Sequence, residues 1–343
     1  MPDIQIPADH PEIKKPKIGV LMVNLGTPDA TDYWSVRRYL SEFLSDPRVI
    51  DLPKLPWQII LQLFVLTRRP FASGHAYKMI WNKEKNESPL MTITRNQGEK
   101  ISAWLEETQP DVICEWAMRY GNPSIASKMK ILIDKGCDKI LLFALYPQYS
   151  AATNATVFDK AFDYLKTLKR QPAIRTVPTY HDDPIYIDAV ANSIKAHLET
   201  LEWKPDAIVA SFHGLPKRYL MEGDPYHCFC AKSGRLIREK LGMSQDQWHL
   251  TFQSRFGAAE WLKPYTDVTV EKLAKSGVKN IAVIAPGFVS DCIETYEELN
   301  IRLQETFMEN GGENFTYIPC LNDSPAGIDV FKSVISNELK GWI

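Results

Sequence analysis

The sequence predicts an α/β protein of two similar halves, each a parallel sheet flanked by helices. Three observations carry this expectation. Short β-branched and aliphatic runs alternate with longer helical patterns along the chain. The strand candidates are nearly continuous in apolar residues, as strands covered on both faces must be. Four short motifs also recur in the same order in the second half.

The first half offers strands at 17–25, 112–120, 140–146 and 173–178, and the second at 207–213, 249–254, 280–285 and 315–319. Helical stretches fit between them. In 225–241, Asp224 can cap the first turn, Pro225 suits the first helical position and Gly242 can end the helix. The repeat is read from matched segments. Asn24-Leu25-Gly26-Thr27-Pro28 corresponds to Phe212-His213-Gly214-Leu215-Pro216, and Met118-Arg119-Tyr120-Gly121 to Ser254-Arg255-Phe256-Gly257. Leu145-Tyr146-Pro147-Gln148-Tyr149-Ser150 corresponds to Ala285-Pro286-Gly287-Phe288-Val289-Ser290, and Pro178 to Pro319. The offsets are 188, 136, 140 and 141 residues, so the first half carries about 50 extra residues between its first two strands.

Two Rossmann-like domains are therefore expected, at 17–178 and 179–322, with a ligand cleft between them near the carboxyl ends of the strands. The second domain would carry the metal site. A C-terminal helix in 323–343 is expected to pack back on the N-terminal domain. The insertion lies within about 29–110 and contains the apolar strip 55–66, followed at once by Thr67-Arg68-Arg69-Pro70. Such a strip suits a lid over a greasy, anionic ligand. It equally suits a helix packed on the core, or a surface resting on a membrane.

Composition bounds the function. With 343 residues, 45% hydrophobic, 24% charged and net charge −2, the chain reads as a globular enzyme rather than a disordered or fibrous protein. That balance provides no electrostatic case for binding nucleic acid. The longest nearly apolar run, 56–66, already contains Gln58 and Gln62 and falls short of the ~20 residues a spanning helix needs. The first 16 residues are polar and proline-rich, without a signal segment, so a cytoplasmic protein is expected. Six cysteines with only Cys228-Phe-Cys230 close-spaced suggest free thiols, and two thiols make a poor metal site. No GxxxxGK[ST], GxGxxG or HExxH occurs.

Two places suit chemistry. His213 ends a strand where open sheets place ligands, and its imidazole can act as base or metal ligand, or be a satisfied structural group. After the strand 280–285, Asp291 and Glu294 have the spacing of a capping box. Glu294 and Glu298 share a helix face that Arg302 continues, so Arg302 is expected to pair with Glu298. Histidine opposed by carboxylates suits a divalent metal or a proton acceptor. Arg119 can grip a carboxylate or close an ion pair, and Tyr146, Tyr149, Phe252 and Phe288 fall near strand ends.

With these segments in view, the sequence resembles the ferrochelatases, bacterial type, which insert ferrous iron into a porphyrin to complete protoheme. The likeness runs from about residue 17 to 324. It rests on 23–28, Tyr146-Pro147-Gln148-Tyr149-Ser150, 211–216, Gly223-Asp224-Pro225-Tyr226 and Ser290-Asp291-Cys292-Ile293-Glu294-Thr295. The resemblance implies a chelatase-like fold with a porphyrin cleft, and catalytic and metal-binding roles for His213 and Glu294. It places Glu298 on an acidic path away from the macrocycle. Arg69, Tyr77, Ser88 and Arg119 fall near positions that contact propionates or line the pocket, while Leu25, Tyr146, Phe252 and Phe288 would wall the cleft. Residues 57–66 resemble the lip at the pocket mouth.

Protoporphyrin IX and Fe²⁺ are the implied partners, with Fe²⁺ as substrate and no permanently bound cofactor. Peripheral contact with the inner membrane face and with upstream heme-pathway enzymes is also implied. Cys292 stands where some relatives have histidine, and Arg302 where some extend the acidic row. Ala151 at one cluster-ligand position, and the end at Trp342-Ile343, argue against an iron–sulfur cluster. Iron insertion into coproporphyrin and a non-catalytic tetrapyrrole carrier are the rival readings.

Overall fold

A computed structural model describes residues 7–12, 14–257 and 259–343. Eight strands form two four-stranded sheets. The first contains β1 (Lys17–Gly26), β2 (Val112–Tyr120), β3 (Cys137–Ala144) and β4 (Ala173–Thr176). The second contains β5 (Ala207–His213), β6 (Trp248–Gln253), β7 (Asn280–Ile284) and β8 (Asn314–Ile318). The spatial orders are β2-β1-β3-β4 and β6-β5-β7-β8, with every pair parallel. The repeat read from the motifs is thus a repeat of topology. β3 lies two to three residues earlier than expected, because the chain leaves the ladder before Pro147. β4 stops two residues early at Thr176, ahead of Pro178, which has no N–H to donate.

The additional residues of the first half fold as α1 (Tyr33–Leu44), α2 (Lys54–Ile60), a π-helical turn (Leu61–Val65) and α3 (Leu66–Ile80). α4 (Pro89–Thr108) then crosses to β2. The remaining helices of this half are α5 (Ile125–Asp134) and α6 (Thr156–Leu165). The second half adds α7 (Pro184–Glu199), α8 (Lys217–Met221), α9 (Tyr226–Leu241), α10 (Thr266–Lys275) and α11 (Leu303–Glu309). α12 (Pro325–Leu339) follows β8. Local chemistry starts these helices: Asp32, Ser88, Ser124, Asp183 and Ser324 each accept a first-turn N–H, and Pro89, Pro184 and Pro325 follow their caps. Gly242 ends α9 at φ 68°, while α9 starts at Tyr226, one residue later than expected. Asp224 still accepts the Tyr226 N–H at 2.9 Å.

One continuous core joins the halves. Val20, Met22, Leu141 and Phe143 of the first sheet and Ile208, Ala210, Ala282 and Ile284 of the second belong to it, with α4, α7, α9 and α12. In α12, Phe331 meets Phe143 edge-on at 5.5 Å between centroids. Arg175 of β4 donates to the carbonyls of Glu338 and Lys340 and stacks at 4.3 Å on Trp342. Separate cores lie under α5 and α6, under α10 and α11, and under the α1–α3 insertion.

The strip 55–66 is divided by face. Leu61 and Leu66 are buried, and the Trp57 indole N–H donates to Leu44 O at 2.6 Å. Leu55, Ile59, Leu63 and Phe64 are 60–79% exposed, so the strip is not a helix packed wholly on the core. No helix among the described residues is long and apolar enough to cross a membrane. All six cysteines are free.

Candidate active site

Both functional segments lie at carboxyl ends of strands. β1 delivers Leu25, then turns at Gly26, whose φ of +117° and close approach to the Tyr120 carbonyl leave no room for a Cβ. Opposite, the loop after β7 leads into a π-helix, Glu294–Arg302. Leu25, Tyr77, Ser88 and Glu294 meet at one open-mouthed hollow of about 230 Å³, which Thr27 and Cys292 also line.

The loop is held by Asp291, which is fully buried. Its carboxylate accepts from Thr295 Oγ1 (2.9 Å), Tyr317 OH (2.7 Å) and Asn322 Nδ2 (2.6 Å). Thr295 Oγ1, not Glu294, accepts the Cys292 N–H at 3.0 Å. The expected Asp291/Glu294 capping box is therefore absent, because the Asp291 N–H donates to Asn322 Oδ1 at 2.8 Å and its carboxylate is taken up by Thr295, Tyr317 and Asn322. Glu294 is left to face the hollow.

His213 ends β5, in register with Gln253 of β6. Its Nδ1 lies 2.7 Å from Gly214 O. A carbonyl only accepts, so Nδ1 carries the proton and Nε2 presents its lone pair. Gln253 joins the two segments: its Oε1 accepts from Ser211 at 2.8 Å and its Nε2 donates to Glu294 O at 3.0 Å. Burial, reinforced by the Glu294 carboxylate, pushes the Tyr77 phenol and the Cys292 thiol up, so both remain protonated donors near neutrality. No group of three or more His, Cys, Asp or Glu side chains among the described residues forms a preassembled metal site.

The ferrochelatase family model matches residues 17–339. This chain belongs to the ferrochelatase family. It is 59% identical over 337 residues to a ferrochelatase of Rhizobium etli (strain CIAT 652), covering 98% of each chain. It is 58% identical over 338 residues to that of Agrobacterium fabrum, again covering 98% of each. Among solved structures it is similar in fold to SirB from Bacillus subtilis with Fe³⁺, at TM-score 0.55 and 11% identity, covering 95% of this chain and 97% of that one. A cobalt complex of the sirohydrochlorin chelatase SirB from Bacillus subtilis subspecies spizizenii gives TM-score 0.53 at 10% identity, covering 94% and 95%. The chelatase-like α/β fold with two sheets follows.

In this chain the other singled-out residues fall in several places. Tyr146 OH and Thr27 Oγ1 are buried with no hydrogen-bond partner among the described residues, and of the two only Thr27 lines the hollow. Phe288 sits 6.5 Å ring to ring from His213 and lines a second hollow with Tyr186, Pro286 and Cys320. Phe252 is buried between Phe212 and the stacked His227 ring, inside the core. Arg69 is exposed, 5.8 Å over the Phe256 ring, and is not among the residues that line the hollow. Arg119 donates to Asp46 and Thr156, the ion-pair alternative weighed for it. Its guanidinium is spent inside the protein.

The acidic row departs from expectation. Glu298 accepts from Ser254 N at 2.8 Å and from Ser254 Oγ, and Arg302 pairs with Glu297 at 2.7 Å instead of Glu298. The cause is the π-helix, whose i→i+5 bonding brings residues five apart together. Cys228 is exposed and Cys230 buried, so these thiols do not converge. Gln253 was not read as an anchor from the sequence, where its only local signal is polar character at a strand end, and Asp291 was read as a helix cap rather than as the anchor of its loop.

Proposed function

We propose that this chain inserts Fe²⁺ into protoporphyrin IX to form protoheme, the last step of heme biosynthesis. The observation that carries the reading is the Glu294 carboxylate, released from capping and facing a hollow walled by Leu25 and protonated phenols. A free-base porphyrin must lose two inner N–H protons as Fe²⁺ enters. The Nε2 lone pair of His213 and the Glu294 carboxylate supply one proton acceptor, which takes the two protons in turn and passes each to solvent, and one metal ligand between them. So few protein ligands hold the metal weakly enough to release it, and Fe²⁺ is substrate throughout, with no resident cofactor in the proposal. The hollow as it stands is far too small for a tetrapyrrole, so the cleft must widen to admit one.

Protoporphyrin is favoured over the more anionic coproporphyrin by the wall chemistry. No Lys or Arg is among the described lining residues of the hollow, and Arg119 is neutralised by Asp46. The exposed residues Leu55, Ile59, Leu63 and Phe64 form an apolar lip suited to a peripheral seat on the inner membrane face of a cytoplasmic enzyme, where a greasy substrate collects and can be handed over by the enzyme that makes it.

The test is anaerobic incubation with Fe²⁺ and either porphyrin, following free-base fluorescence and heme absorbance. Wild type is expected to turn over protoporphyrin IX. His213→Ala and Glu294→Gln should each lose ~10²–10⁴-fold while still binding porphyrin. Binding without wild-type turnover would support the carrier, and faster use of coproporphyrin would reassign the substrate.

A further inference from the structure

A role for Gln97 deepens the iron-insertion reading, on which it rests. Gln97 lies in α4 and is fully buried, although it belongs to the N-terminal half. Its neighbour Gly98 lets α4 press against the Trp116 ring, where a Cβ would collide. Both ends of the Gln97 amide are used on the opposite half. Nε2 donates to Asn322 O at 2.9 Å and to Val289 O at 3.4 Å, while Oε1 accepts from Ser290 Oγ at 3.1 Å. The same Ser290 hydroxyl accepts from Asn24 Nδ2 at 3.3 Å, and Asn24 immediately precedes Leu25. Asn322 continues the chain of contacts, since its Oδ1 accepts the Asp291 N–H at 2.8 Å. One buried amide thus touches the loop that leads to Glu294 and, through Ser290, the strand end that presents Leu25.

We propose that Gln97 is a positioning residue for iron insertion, setting the separation between Glu294 and the Leu25 wall across the cleft. An apolar side chain of the same length would fill the space without an amide to satisfy. What it could not do is aim the 289–291 loop. Buried hydrogen-bond networks that are fully satisfied hold such geometry tightly, and a catalytic group displaced by ~1 Å can cost ~10²-fold in rate.

The test titrates wild type, Gln97→Met and Ser290→Ala with protoporphyrin IX by fluorescence, giving the fraction of chains that bind. Iron insertion is then measured per binding chain. Gln97→Met is expected to insert iron ~10- to 100-fold more slowly per binding chain, and Ser290→Ala about threefold more slowly. The KM for porphyrin should stay within about twofold, because Asn24 keeps its bond to Thr94 Oγ1 at 3.0 Å and so still holds the Leu25 wall. Rates per binding chain equal to wild type, or a loss that only tracks the fraction of binding chains, overturn the proposal. If Gln97→Met does not fold, Ser290→Ala decides by the same criterion. Porphyrin binding without turnover by wild type instead refutes the iron-insertion reading and takes this proposal with it.

Discussion

Burial pushes the imidazoles of His181, His197 and His249 below the ordinary histidine value of 6.5, because desolvation disfavours their charged form. As pH falls below 6.5 the unfolded chain takes up protons that the folded chain refuses. Stability therefore declines from that point down to the lowered folded values, and these groups add no slope above 6.5. Melting temperature should drop between pH 7.5 and 5.5, and the pair His197→Gln with His249→Gln should flatten the drop; an unchanged slope would remove these groups as its cause. At this scale the sequence was informative for His213 and Glu294, because a strand end followed by a turn or helix fixes where a side chain emerges. It was silent on Gln97. A polar residue inside a helix reads as surface until the opposite half is brought against it.

Among the elements, the insertion divides its apolar residues between two faces. Leu61 and Leu66 close a local core with Tyr39 and Tyr120, whereas Leu55, Ile59, Leu63 and Phe64 face outward. Replacing those four by serine should leave stability nearly unchanged, since exposed sites far from packing rarely shift it by more than ~0.5 kcal/mol. The same variant should lose binding to vesicles of anionic phospholipid in a flotation assay. Equal flotation by wild type and variant would sink the membrane seat. All eight strands were legible, because continuous apolar runs between turn residues have few alternatives. The division of the strip was not, as buried and exposed leucines interleave within it. Nor was the π-helical winding after Glu294, which helical periodicity at 3.6 residues does not encode and which redirects Arg302 to Glu297.

The whole molecule is two topological copies around one core, so the halves should not unfold separately. A single thermal transition is expected, coincident by tryptophan fluorescence and far-UV circular dichroism. Phe331→Ala, which opens the contact to Phe143, should destabilise the entire chain by ~3–5 kcal/mol without splitting that transition. Two separated transitions would show the shared core to be weaker than its packing implies. The repeat foretold the two sheets but not their fusion, because pairing between halves leaves no periodic trace in either one. That fusion has a consequence during synthesis. Phe143 is made 188 residues before Phe331, the side chain that covers it. At ~5–20 residues per second the Phe143 side of the first sheet, although α4 already packs in the same core, waits roughly 10–40 s for α12. A chain halted before α12 would leave the Phe143 patch without its last cover, open to any factor that shields apolar surface at the exit tunnel.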